Sequence, residues 1–235
     1  MKRWTFAALA ALLAVTACSG NKSAGASGDA AAQGGSPAAA PTNSSDFPLY
    51  QGATVISSKD FSQKVDASSV KMAGGALSQG SGTYAGHEVV AETNASLDDL
   101  AKWLTAAQTT PPQGFTIPAG GAQVASAREQ AKKYGIDFVP FVKDENGKKH
   151  GYIVIAMDPA TLNTKLGATI VMIEKFRSLP DALKGPIDTQ LKQRIGISGS
   201  EALDPASPLG AALTAYDEVK STNSRAIVVV DAAKQ

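Results

Sequence analysis

The chain has 235 residues, 43% of them hydrophobic and 18% charged, which is enough apolar material for a packed core. Its 22 basic and 21 acidic residues nearly cancel and no basic stripe appears, which argues against nucleic acid as a partner. There is a single cysteine, Cys18, so no intrachain disulfide can form and the fold must hold by its core.

The first residues divide into three zones. Lys2 and Arg3 are basic, Trp4 to Ala14 is an apolar run, and Val15-Thr16-Ala17-Cys18 follows. A basic start, a short apolar stretch and small residues before a cut describe a secretory signal over residues 1–17. The run falls short of the about 20 residues that a membrane-spanning helix needs. The tetrapeptide resembles the lipobox of bacterial lipoproteins, in which an aliphatic residue and two small ones precede the lipidated cysteine. The resemblance implies a diacylglyceryl thioether on the Cys18 sulfur and a further acyl chain, such as palmitate, on its new amino group. Two or more chains give stable membrane anchoring. Cleavage after Ala17 by the general signal peptidase is the alternative, but it would leave an exported protein with one unpaired, reactive thiol. In enterobacterial-type lipoproteins an Asp after the cysteine favours the inner membrane; Ser19 leans the expectation towards the outer membrane, facing the periplasm.

Residues 18–45 hold the lipidated cysteine and a stretch of Gly, Ala, Ser, Pro, Asn, Gln and Thr, with one Lys and one Asp, that lacks large apolar residues. Such a composition cannot bury enough surface to offset its ordering entropy and predicts a flexible tether. About 27 flexible residues reach roughly 30 Å by the square-root rule. Without Lys2 and Arg3, 20 of the 22 basic residues remain against 21 acidic ones. Residues 46–235 are read as one globular domain.

Within that body, Ala53–Ser58 reads as a strand and the glycine-rich 74–82 as a loop. Tyr84–Thr93 alternates, with His87, Val89 and Ala91 on one face and Glu88, Val90 and Glu92 on the other. Ser96 and Asp99 resemble a capping box opening a helix to about Gln108, with Leu97, Leu100, Ala101 and Leu104 on its apolar stripe. A second helix is expected over 122–134, marked by Val124, Ala127 and Ala131 and closed by Gly135. Ile136–Lys143 reads as a strand at an edge or bulge because it contains Pro140. Asn146-Gly147 signals a hairpin, and Lys148–Met157 is its return strand.

Ala168–Phe176, rich in β-branched residues, reads as a further strand. Gly185-Pro186 opens a helix with Ile187, Leu191 and Ile195 on one face, and Ser207-Pro208 opens another with Leu209, Ala212, Leu213 and Tyr216. Arg225–Asp231 is apolar on both faces and should be a central, covered strand. The fold class expected is α+β: a mainly antiparallel sheet with hairpins packed against several amphipathic helices, after a disordered tether.

A second resemblance begins at Phe47-Pro48-Leu49-Tyr50-Gln51-Gly52-Ala53. It is similar to the Pro-x-Tyr-x-Gly-Ala opening of small bacterial envelope domains, in which a Thr-ended strand and a Ser-capped helix bearing a Trp follow, as Glu92-Thr93, Ser96 and Trp103 do here. It implies no activity.

Candidates for chemistry are few. His87 and His150, with Glu88 and Glu145 close by in sequence, lack the close ligand spacing of zinc sites, so no metal is expected. Gly80-Ser81-Gly82-Thr83-Tyr84-Ala85 matches a dinucleotide fingerprint in letters, but a strand follows it where a helix should, so no cofactor is expected. No serine sits in a Gly-x-Ser-x-Gly elbow, and the pairs Asp98-Asp99 and Asp217-Glu218 are consecutive on helices and diverge. Trp103 beside Leu100 and Leu104 reads as packing. The expectation is a lipid-anchored envelope protein of non-catalytic binding or accessory type, held to the membrane through Cys18 and supporting an envelope protein partner. The alternative is a periplasmic hydrolase or metal-dependent enzyme using His87 or His150.

Overall fold

A computed structural model describes residues 45–65, 82–118, 121–195, 198–199, 208–222 and 224–234. The signal segment, Cys18, the tether to residue 44 and most of the glycine-rich loop lie outside the described residues. Among the described residues, no helix is long and apolar enough to cross a membrane.

Six strands form one antiparallel sheet: β1 (Thr54–Val65), β2 (Gly82–Thr93), β3 (Phe115–Thr116), β4 (Ile136–Glu145), β5 (Lys148–Met157) and β6 (Arg225–Lys234). Their spatial order is β1-β2-β6-β5-β4-β3. The described helices are α1 (Leu97–Thr109), α2 (Gly121–Lys132), α3 (Pro159–Ser178), α4 (Gly185–Ile195) and α5 (Pro208–Val219), with a 3-10 turn at Asp181–Leu183. The α+β expectation is met by this antiparallel sheet packed against helices.

Strand alternation divides the interior in two. On one face Val89, Ala91, Val139, Phe141, Val154, Ala156, Ile227 and Val229 meet Leu100 and Leu104 of α1 and Phe47 of the incoming chain. On the other, Val90, Ile136, Phe138, Ile153, Ile155, Met157, Val228 and Val230 meet α3, Leu191 of α4, and Ala212, Leu213, Ala215, Tyr216 and Val219 of α5. Each fully buried aliphatic side chain contributes about 1.5–3 kcal/mol by leaving water. Strand β6 lies between β2 and β5 and is covered on both faces, as its all-apolar centre requires.

Local signals account for the element ends. Ser96 Oγ accepts from the Asp99 backbone N–H at 3.1 Å and donates to Asp99 Oδ2 at 2.7 Å, so the acidic residue closes on the cap hydroxyl instead of the cap N–H of a full capping box. Asn146 and Gly147 both have positive φ, 56° and 78°, as a type I′ hairpin turn demands. Gly135 ends the α2 segment at φ 76°; its N–H bonds to the Lys132 carbonyl and its own carbonyl accepts from Asp158. Strand β3 pairs with β4 only at Val142 and Lys143, so Pro140 faces an edge without a ladder partner. Strand β1 runs to Val65, beyond the expected Ser58, with a register shift between Val55 and Ser57 that leaves Ile56 unpaired.

One expectation is overturned. Ala168–Phe176 is not a strand but the second half of α3. Its buried residues Leu162, Thr169, Ile170, Ile173 and Phe176 recur at helical spacing, while Val171 is 62% exposed and Ile173 only 2%. Strand alternation would put those two on one face. Packing of the helical stripe on the sheet overrides the β-branched preference of the run. The helix starts at Asp158-Pro159, where Thr161 Oγ1 donates to Asp158 Oδ2 at 2.6 Å.

Helix α2 locks the edge of β4. Val124 and Ala131 join the core on the α3–α5 face, and Arg128, on the same stripe, reaches the α1 face. There its Nε and Nη2 donate to the two oxygens of Asp137 at 2.7 Å each, and Nη1 donates to Gln108 on α1. Asp137 also accepts from the Phe138 N–H at 2.9 Å.

Candidate functional site

Both histidines lie on the face of the sheet that carries α1. His87 on β2 shares the parity of Val89 and Ala91; His150 on β5 shares that of Tyr152 and Val154. The β-ladder puts Asp231 of β6 directly beside His87, and Asp60 of β1 on its other side. His87 Nδ1 lies 3.2 Å from Asp231 Oδ1, and Nε2 lies 3.2 Å from Asp60 Oδ1. The His87 backbone N–H also donates to Asp231 Oδ1 at 3.3 Å. Both ring nitrogens can donate at once only as imidazolium, so this cross-strand clamp is complete in the charged form.

Burial differs across the clamp. Asp60 is exposed and His87 half-buried, whereas Asp231 has a side chain only 7% exposed. Desolvation pushes the Asp231 carboxyl above the usual carboxylate range, and its bonds to His87 oppose that rise. Gly86 makes the approach possible, since a Cβ there would stand 1.7 Å from the Asp231 carbonyl oxygen.

A second polar group adjoins the first. Tyr152 is the cross-strand neighbour of Asp231, and its phenol is pushed up mainly by burial, with the Asp231 charge adding to it. His150 Nε2 lies 3.6 Å from Glu145 Oε2. Lys143 Nζ bridges Asp46 at 2.6 Å and Glu145 at 2.5 Å, and those hydrogen bonds raise the ammonium's pKa and hold Asp46 low.

Lys143 thereby ties the entering chain to the sheet. Next to it, Phe47 is fully buried against Phe115, Phe141 and Trp103. Ser45, assigned to the tether from sequence, is buried and accepts from the Phe47 N–H. Trp103 packs on Phe47 and Tyr50, the role expected of it, and its helix leaves a shallow open groove bounded by Asp98, Lys102, Thr105, Thr109 and Pro112.

The sheet geometry places the acidic neighbours of the two histidines. Glu88 points to the opposite face from His87, so those two cannot share a ligand. Glu145 does approach His150. No group of three or more metal-ligating side chains converges among the described residues. Gly82–Ala85 belong to β2, so the glycine-rich letters lead into a strand; Gly80 and Ser81 lie outside the described residues. Asp98 and Asp99 are exposed at the start of α1. In the Asp217-Glu218 pair, one Glu218 carboxylate oxygen is buried.

Chemically, the His87 clamp has two of the three parts of a hydrolytic triad, a base and a buried carboxylate that orients it. Among the described residues, the second nitrogen meets another carboxylate in the place of a nucleophilic hydroxyl. Comparison with known protein families, curated proteins and solved structures finds no match.

Proposed function

We propose that the protein is a lipid-anchored cell-envelope protein of non-catalytic binding or accessory type, lipidated on Cys18, facing the periplasm from the outer membrane and supporting an envelope protein partner. The observation that carries this reading is Val15-Thr16-Ala17-Cys18, set directly after a basic start and an apolar run and holding the chain's single cysteine. Engagement of both His87 nitrogens by carboxylates supports a structural use of that histidine. Mass spectrometry of membrane-extracted protein tests the anchor. It should show a mature N-terminus at Cys18 carrying a diacylglyceryl thioether and an added acyl chain. Cys18→Ser should move the protein to the soluble fraction. A free thiol at position 18, or unchanged membrane partition of the variant, refutes the anchor.

The His87–Asp231 geometry favours one second reading, a periplasmic hydrolase with His87 as base. Under it, hydrolysis of an envelope ester, amide or glycoside by the purified protein would fall about 100-fold or more in His87→Ala. The non-catalytic reading expects no turnover in either protein.

A further inference from the structure

On the face of the sheet opposite the histidines, three charged groups meet where β1, β2 and α5 come together. Lys59 of β1 and Glu88 of β2 are direct cross-strand partners. From above, Glu218 in the last turn of α5 places Oε1 2.6 Å from Lys59 Nζ. Glu88 is only 5% exposed, its other cross-strand neighbour is Val230, and its Oε2 is buried without a hydrogen-bond partner. Glu218 Oε2 is buried and unpartnered too.

Charge counting makes this cluster unusual. Two carboxylates share one ammonium, and that ammonium is bonded to Glu218. An ionised Glu88 would therefore be a buried charge with no counterion of its own. The position of Glu218 adds to the problem. The last turn of α5 carries no basic residue, and a carboxylate at a helix C-terminus is opposed by the helix dipole. Asp217, next to it, bonds to Lys220 and lies near Arg177, but Glu218 is held by a lysine of the edge strand. His87, Asp60 and Asp231 lie on the far face. Lys59 and Glu218 are thus the charged groups that act on Glu88 among the described residues.

We infer that Glu88, Glu218 and Lys59 form a proton-operated latch. With a proton on Glu88, the cluster is neutral and Lys59 clamps the last turn of α5 to the sheet. Loss of that proton leaves an uncompensated buried charge that is relieved by competition for Lys59 and by letting water in between α5 and β1. Burial pushes the Glu88 carboxyl up from its ordinary 4.5 to about 7, so the latch works around neutral pH.

Hydrogen–deuterium exchange on the full-length lipidated protein at pH 5.5 and pH 8.5, corrected for intrinsic rates, tests the latch. Protection of 208–219 and 54–65 should fall about 10- to 100-fold at the higher pH relative to 97–109. Glu88→Gln, the neutral isostere, should stay protected at both. Lys59→Met should loosen 208–219 at both. The latch is overturned if α5 and α1 respond alike to pH, if Glu88→Gln keeps the wild-type response, or if Lys59→Met leaves α5 protected. A carbon-13 titration of the Glu88 carboxyl supplies a second readout: a midpoint near 7 supports the latch, and one in the ordinary carboxylate range overturns it.

Discussion

Replacing Arg128 by Ala should cost more stability than any comparable surface change, because it strands a charge. Asp137 is fully buried, and Arg128 is 6% exposed. The wild-type pair is joined by two parallel N–H···O bonds of 2.7 Å, the strong bidentate geometry. Without the guanidinium, the Asp137 carboxylate keeps only the Phe138 N–H. Breaking such a buried pair from one side costs about 3–5 kcal/mol. Loss of the contacts to Gln108 and Thr105 on α1 adds to this, since Arg128 joins α2 to both β4 and α1. The double variant Arg128→Met/Asp137→Leu removes both charges and keeps the volume apolar; it should be more stable than Arg128→Ala by about 2 kcal/mol or more. Urea unfolding followed by circular dichroism measures both, through the midpoint at constant slope. A loss below about 1 kcal/mol in Arg128→Ala, or a double variant as weak as the single one, would mean that the Asp137 charge is not stranded without Arg128.

Truncating Phe47 to Ala empties the centre of an aromatic cluster and should cost about 3–5 kcal/mol, with faster proteolysis between residues 44 and 53 as a local readout. Gly86→Ala drives a Cβ into the Asp231 backbone and should lower stability by about 3 kcal/mol or abolish soluble expression; a change under about 0.5 kcal/mol would mean that β2 and β6 are further apart than described. His87→Ala removes the ring contact to Asp231 Oδ1, leaving that oxygen the backbone N–H of residue 87, and should cost about 1–2 kcal/mol in thermal or urea melts near pH 6. The folded protein holds the Glu88 proton more tightly than the unfolded chain, so this group's contribution is intact below pH 4.5 and is lost as pH rises to about 7. At about 1.4 kcal/mol per pH unit, that loss comes to about 3 kcal/mol, and Glu88→Gln should abolish it in melts taken from pH 4.5 to 8.

Short-range chemistry was readable in the sequence because its physics is local. Asn146-Gly147 needs two positive φ angles, Ser96 needs a free helix N–H, and both sit where their residue types require. The alternation in β2 gave the correct faces for His87 and Glu88, and hence excluded their joint use. What hangs on contacts between distant segments was not legible. Asp231 stands 144 positions from His87, and no spacing rule connects them. No spacing rule marks Arg128 either, because Asp137 comes opposite it only across the edge of the sheet. Ala168–Phe176 failed for a related reason. Its β-branched content is a weak local bias, and only the surfaces it packs on reveal that its period is helical. The two-residue β3 is too short to leave a periodic trace, and Phe115 was missed with it.

The strand order carries a consequence for how the molecule assembles. Strands β1 and β2 can meet as a neighbouring pair, and β4 and β5 can zip from their tight turn. Neither pair is hydrogen-bonded to the other. The strand that joins them, β6, follows every other strand in chain order and must insert between β2 and β5, closing ten residue pairs on one side and eight on the other. Until it arrives, Val89, Val90, Val154 and Ile155 face water or each other's edges. Closure of the sheet should therefore be the last event in time, and a chain emerging from a pore with its N-terminus first should stay open until residue 234 is through. Its slow step should be the insertion of β6, with the long-range contact order that this implies, and deletion of 225–234 should leave two separate hairpins, not a destabilised sheet.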